Sequence, residues 1–412
     1  VNHDRITAIR VKGLRSLADV ELMLSDLTVL IGPNGAGKSS LVEVCELLRK
    51  AGTDSTFFDA LASTHGGAAS LVRRGAHKLE IEAEIDGAEG LLRYALALSL
   101  ERDQYLQIRH ERISRFLGDR WIQLVFRDAL NYWAYDRTGV RKEALAPTQR
   151  SIGPGELVLN VRVEALGDGP GGELDRVKKA LASIEVHTPV DVRPRWVAQS
   201  ETGARAANVV QGARRLALDG KNLSNALLQL RNQRNFASAL ADMRLGLGDD
   251  FEDLVLKPMP SGGQIAVEVR LRRGWELPMF SLSDGQVAYL AQVVIAHGER
   301  PYQPSLVVLD EPELHFHPGL TVRLAQMIEG ASERFPVLVA TQSDAFLDTL
   351  TEPAAAAVLC ELDEDRATRL SRPDPVRLRS WLEDYAGLGA LRRSGFDQLV
   401  FEETERSAAD GS

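Results

Sequence analysis

Cysteine is scarce in this chain: among 412 residues there are only Cys45 and Cys360, far apart and with no C-x-x-C partner. That excludes a disulfide framework and a thiolate zinc site, and it points to buried, reduced thiols in a cytoplasmic setting. No apolar run approaches the roughly 18 to 20 residues that span a bilayer, so no membrane partner is expected. The opening VNHDRITAIRVKGLRSL lacks the uninterrupted apolar segment of a signal peptide. Sustained heptads are missing too, which excludes a long coiled-coil arm. The net charge of −9 argues against indiscriminate nucleic-acid binding but leaves room for a local basic patch. With 44% apolar and 26% charged residues, the composition is that of an ordinary globular protein with chain enough for two or three domains.

The most telling segment that is present is LTVLIGPNGAGKSSLVEV, residues 27 to 44. It reads as a buried strand, a glycine-rich turn and the opening of a helix, and Gly32 to Ser39 fits G-x-x-x-x-G-K-[ST] in that context. Glycines let backbone N–H groups curl around a polyphosphate, and the helix N-terminus adds positive potential. Lys38 is expected on the β- and γ-phosphates and the Ser39 hydroxyl on Mg²⁺. The expected ATP-binding set is Asn34, Gly35, Ala36, Gly37, Lys38, Ser39 and Ser40.

Alternation over 5–12, 19–24, 78–86, 92–100, 105–113 and 121–127 predicts a β-rich lobe around this motif. GDGPGG at 167–172 reads as a linker, followed by helical patterns over 173–186 and 220–246. From 264 the chain alternates again: strand 264–272, helix 284–298, strand 305–309, helix 319–333 and strand 336–340. That is an α/β core resuming after a long interruption. The expected units are 1–166 (phosphate loop and β-rich lobe), 173–260 (helical insertion), 261–401 (the rest of the core) and a frayed acidic tail, 402–412.

The second half of the nucleotide site lies in SLVVLDEPELHFHP, residues 305 to 318. Leu306 to Leu309 form a buried strand ending in Asp310-Glu311. Asp310 is the candidate Mg²⁺ ligand and Glu311 the candidate base that polarises the attacking water. Upstream, Ser281-Leu282-Ser283-Asp284-Gly285-Gln286 opens an apolar helix. Ser283 is expected to cap it and leave the Gly285 amide open to an anion. A serine cap alone explains LSDGQ; its position shortly before the Asp310-Glu311 strand makes it more specific.

GPNGAGKSS, LSDGQ, LVVLDEPELHFHP and LVATQS, in this order, resemble an ABC-type ATPase head of the RecF/SMC-like group, close to OLD-type and bacterial "predicted ATPase" proteins. The resemblance covers about 1–110 and 260–390, and includes the "GLRSL" turn before the phosphate-loop strand. It implies an α/β fold: a P-loop NTPase, ABC-type head with an N-terminal β-rich lobe and an inserted helical lobe. It also implies ATP and Mg²⁺ as ligands and a homodimer closed by ATP. Lys38, Ser39, Asp310 and Glu311 would act in cis, with Ser283, Gly285 and Gln286 facing the partner's nucleotide. The family's switch histidine is replaced by Gln342, which can donate to the γ-phosphate but cannot titrate, so hydrolysis is expected to be slow. No Q-loop glutamine stands out; Gln104 and Gln107 lie in a strand pattern.

Residues 205 to 244 carry Arg205, Arg214, Arg215, Lys221, Arg231, Arg234 and Arg244 against Asp219 and Asp242. This basic stretch could track nucleic-acid phosphates, or equally be a solvated face or dock an acidic partner. Only Phe236 offers it a stacking ring. His315 and His317 lack a third metal ligand in sequence, and Glu361, Asp363 and Asp365 read as an acidic turn after a terminal strand. The function expected is an ATPase whose cycle drives a separate effector protein, in DNA repair or anti-phage defence. The alternative is an ATP-sensing dimerisation scaffold with little turnover. A transporter subunit fits less well, because the stretch between phosphate loop and LSDGQ is long.

Overall fold

Apolar runs without alternation mark strands buried on both faces, and here they build the central sheet. In the computed structural model, β9 (Ile184–His187), β14 (Leu306–Asp310), β15 (Val337–Thr341), β3 (Leu27–Ile31) and β16 (Ala357–Leu362) run parallel, side by side in that order. β17 (Thr368–Pro373) and β18 (Phe401–Glu403) continue the β16 edge antiparallel. The structure describes residues 3–53, 57, 61, 67, 70–101, 105–128, 131–135, 152–153, 155–160, 170–193, 203–213, 215–259, 262–382, 387–394 and 401–403.

The side-chain period of two divides this sheet between two cores. Leu30, Val308, Leu338, Ala340 and Val358 face one core; Val29, Ile31, Val307, Leu309, Val337 and Val339 face the other. In the first core lies α1 (Lys38–Thr53), with Leu41, Val44, Cys45 and Leu48 buried. It is covered by an antiparallel sheet of seven strands: β2 (Leu17–Met23), β1 (Arg5–Leu14), β4 (Lys78–Asp86), β5 (Leu92–Glu101), β6 (Tyr105–Leu117), β7 (Arg120–Arg127) and β8 (Tyr132–Ala134). This is the β-rich lobe expected from the alternating segments. α2 (Gly171–Ala182) packs against α1 through Leu174, Val177 and Leu181 in the same core.

The second core holds α3 (Leu223–Arg231), α4 (Phe236–Leu247), α5 (Asp284–His297) and α6 (Pro318–Ser332). A small sheet backs it, with β12 (Gln264–Leu271) flanked by β11 (Phe251–Pro258) and by β10 (Asn208–Val209) and β13 (Glu276–Pro278). α3 and α4 form the inserted helical lobe.

Three boundaries differ from the sequence pattern. The helix read over 173–186 stops at Ala182; Ile184 to His187 instead pair with Leu306 to Leu309, a strand edge that two β-branched residues suit. Residues of 171–187 thus pack in the first core and along the central sheet. The pattern over 220–246 is two helices, broken between Asn232 and Asn235, whose side chains favour helix ends. β11 had no clear signal. Part of the linker (167–169), Gln104, Arg214, Tyr385, Phe396 and most of the acidic tail (404–412) lie outside the described residues. Among the described residues, no helix is long and apolar enough to cross a membrane.

Candidate functional site

β3 delivers the chain into the loop and α1 starts at Lys38. Gly35 (φ 79°) and Gly37 (φ 105°) occupy the left-handed region, which an L side chain enters only at a cost. At Gly37 a methyl group would also collide with the Thr368 hydroxyl. That hydroxyl donates to the Ala36 carbonyl at 2.9 Å and lies 2.8 Å from the Ser16 hydroxyl, while the Cys360 thiol donates to the same carbonyl at 3.1 Å. The phosphate loop is thus walled from behind by β16, β17 and the turn between β1 and β2. Arg15 of that turn pairs with Glu43 on α1 at 2.8 Å. Burial pushes the Cys45 and Cys360 thiols up to about 12, so both stay un-ionised. Sequence reasoning missed Ser16, Thr368 and Cys360; the only hint was the "GLRSL" turn.

Lys38 is buried, and its Nζ donates to the carbonyls of Gly32 at 2.7 Å and Pro33 at 3.0 Å. Burial lowers its pKa; Cys360, Glu311 and Asp310 act in the opposite direction. The two carboxylates expected opposite the lysine are therefore close enough to feel its charge. Asp310 stands at the end of β14, and its pKa is raised to about 6, by burial first and by Glu311 second. Lys38 and a hydrogen bond from Ser39 oppose that rise, and Asp310 Oδ1 is buried with no hydrogen-bond partner. Lys38, Ser39, Asp310 and Glu311 are thus brought together.

Glu311 adopts φ 44°, rare for a non-glycine residue, and its N–H donates to the Ala340 carbonyl at 2.7 Å. Two contacts then tie the residues after β14 to those at the end of β15. The Gln342 amide donates to Glu311, and the Thr341 hydroxyl donates to Glu313. Burial raises the Glu313 pKa, while Thr341 and the Gln342 N–H hold it down. Glu313 and Thr341 were not singled out from sequence, though Glu313 lies within the quoted DEPEL run.

Ser283 is the N-cap of α5 in a full capping box: its hydroxyl accepts from the Gln286 N–H at 3.2 Å, and its own N–H donates to Gln286 Oε1 at 2.9 Å. Gly285 lies against the segment after β14, where an added Cβ would sit 2.8 Å from the His315 carbonyl. No hydrogen bond or ion pair among the described residues joins Ser283, Gly285 or Gln286 to the phosphate loop of the same chain.

The basic stretch 205–244 is not one cationic face. Arg205 is buried, Arg231 pairs with Asp253 at 3.1 Å, Lys221 pairs with Asp219 at 3.6 Å, and Arg244 donates to the Glu252 carbonyl at 3.3 Å. Asp363 accepts from the N–H groups of Asp365 and Ala367, so the acidic cluster is a turn between β16 and β17. Gln107 lies exposed on β6.

The profile of the family described as "AAA domain, putative AbiEii toxin, Type IV TA system" matches residues 27–156 and 194–348. The chain belongs to this family. The span matched to the AAA domain holds the phosphate loop, LSDGQ, Asp310-Glu311 and Gln342, whereas α2 and β9 fall in its gap. Among solved structures, the AAA-domain chain is similar to an SMC head bound to the C-winged helix domain of ScpA (14% identity, TM-score 0.52, 91% of this chain and 99% of that one). It is also similar to an SMC head with an extended coiled coil bound to the C-terminal domain of ScpA, derived from Pyrococcus furiosus (13%, 0.51, 92% and 99%). A third is an SMC head with a coiled coil and joint from Pyrococcus yayanosii (11%, 0.50, 92% and 99%). At these identities the likeness shows the fold alone, that of an SMC head domain. None of the curated proteins matches the chain.

Proposed function

We propose that this chain hydrolyses ATP between two copies of itself, closing head to head on binding nucleotide and reopening after hydrolysis. The observation that carries this reading is the contact between Gln342 and Glu311, set beside Asp310 and Lys38. Among the described residues, Ser283, Gly285 and Gln286 of the capped LSDGQ helix, meanwhile, have no hydrogen bond or ion pair to the phosphate loop of their own chain. An arriving triphosphate takes the loop's N–H groups and replaces the Gly32 and Pro33 carbonyls at Lys38 with phosphate oxygens. Glu311 polarises the attacking water, and the Gln342 amide orients Glu311. Ser283 and the Gly285 N–H of the second copy complete the site.

The residues present fit Mg²⁺. Asp310 offers a buried, unpartnered oxygen, and its ionisation, disfavoured by burial and by Glu311, gains from a cation. Ser39 and Asp310 would hold the ion, which supplies charge neutralisation on the phosphate oxygens. Among the described residues no group of three or more His, Cys, Asp or Glu could hold a metal without other ligands.

Two of the SMC heads above are bound to a piece of ScpA, and by analogy this head passes its closure to a separate effector protein. A family description that names a toxin favours a defence setting, with DNA repair as the other context. Phosphate release by the wild type and by Glu311→Gln tests the enzyme, and light scattering of Glu311→Gln in saturating Mg-ATP tests closure. The expected result is turnover lost roughly 100-fold or more and a trapped dimer. A monomer under those conditions sinks the proposal. One feature favours a second reading, a sensing scaffold with little turnover: Gln342 stands where the resemblance to ABC-type heads implies a switch histidine. Equal, near-zero release by both proteins would select it.

A further inference from the structure

The residue that contributes least to the supposed basic face is the most heavily engaged. Arg205 is 8% exposed, and every nitrogen of its guanidinium is used. Nε donates to the Val192 carbonyl at 2.6 Å, Nη1 to the carbonyls of Met279 at 2.9 Å and Leu282 at 2.8 Å, and Nη2 to Asp284 Oδ1 at 2.6 Å. Leu282 and Asp284 are the two neighbours of Ser283. One buried side chain thus grips the chain on both sides of that serine.

Its other hand holds Val192, in the segment that leaves β9. β9 pairs with β14, the strand that ends at Asp310. Arg205 is itself fixed there, since Ala204 N–H donates to the Asp191 carbonyl at 2.9 Å. A planar fork of donors does what a lysine cannot: it satisfies several acceptors in fixed directions at once. Val192 and Leu282 are buried, so losing the fork takes away the donor that their carbonyls share with Met279, whose carbonyl keeps only the Leu282 N–H at 3.3 Å.

We propose that Arg205 is a positioning residue for the signature serine: it sets the Ser283 loop in the geometry that meets the nucleotide of the second copy, and ties that loop to the strand beside Asp310. It touches no nucleotide itself. The inference rests on the two-copy reading above and predicts that its defect is delivered to the partner's site.

The test is subunit complementation. Arg205→Gln alone loses turnover at least 10-fold, with nucleotide affinity of the open monomer within 3-fold of wild type, because its own phosphate loop is untouched. Lys38→Ala alone is inactive. Mixed one to one, half the dimers hold one composite site built from an intact phosphate loop and an intact signature loop, and phosphate release returns to about a quarter of the wild-type rate. A parallel mixture of Ser283→Ala with Lys38→Ala is the control. Recovery in the control but not with Arg205→Gln overturns the assignment while leaving the two-copy reading standing; no recovery in either mixture removes both. Wild-type turnover by Arg205→Gln also overturns it. Should that variant not fold, Arg205→Lys, which keeps the charge and loses the fork, takes its place in the same mixtures with the same outcomes.

Discussion

At the scale of single residues, the carboxylates at the end of β14 and just after it sit in different surroundings. Burial and Glu311 both disfavour the charged form of Asp310, so its folded pKa of about 6 lies above the ordinary carboxylate value. The sign follows directly. The charged form is destabilised in the fold, so this group lowers stability above pH 6 and ceases to do so as the pH falls below it. Asp310→Asn is therefore expected to raise the melting temperature by roughly 2–4 °C at pH 8 and by less at pH 5, while losing Mg-dependent nucleotide binding. Calorimetry at the two pH values checks it; equal gains at both would rule out titration as the cause. Glu313 is different, because its partner is Thr341 and not the reaction. Glu313→Ala frees that hydroxyl and loosens Gln342, with an expected 10-fold loss of kcat at unchanged KM. In a Gln342→Ala background the same substitution should cost little, and a full second loss would show that Glu313 acts by another route. Lys38, Ser39, Asp310 and Glu311 could be read from the sequence because their order and spacing are fixed by chemistry. Ser16, Thr368, Cys360 and Glu313 could not, since a wall behind a loop has no motif; only the third dimension brings residues 16 and 368 together.

Secondary-structure elements were legible where pattern and packing agree. β3, β4 and α5 begin and end within a residue or two of the hydrophobic periodicity, because both strand faces or a long apolar helix face are buried. The failure over 173–186 has a tertiary cause. Ile184 to His187 carry on a helical pattern, yet the exposed edge of β14 offers a row of backbone partners that a further helical turn cannot use. Tertiary pairing overrides local preference there. At this scale α5 matters most for the proposed closure, since its first turn carries LSDGQ. Ser283→Ala removes one half of the capping box and is expected to cost about 1 kcal/mol of stability. Gly285→Ala acts through space instead: a methyl 2.8 Å from the His315 carbonyl forces α5 away from the segment after β14. Closure into dimers should then weaken at least 10-fold, measured by light scattering, with nucleotide affinity of the monomer unchanged. Undiminished dimerisation would mean that this approach is not part of the closing surface.

The described residues form two cores on either side of one mostly parallel sheet, and the sheet's order has a consequence for how the chain is made. β3 has two hydrogen-bonded neighbours, β15 and β16. During synthesis it therefore waits from residue 31 to residue 337 before either partner exists, while the hairpins of the β-rich lobe, whose contacts are local, can form early. The phosphate-binding turn becomes a shaped cradle only after β15 and β16, both far downstream of it, have been made. A nascent chain arrested shortly before residue 337 should bind no nucleotide and should be cut by protease within β3, while one carried past residue 373 should resist. If so, incomplete translation products of this head are harmless by construction: they own the lysine but have nowhere to put a phosphate.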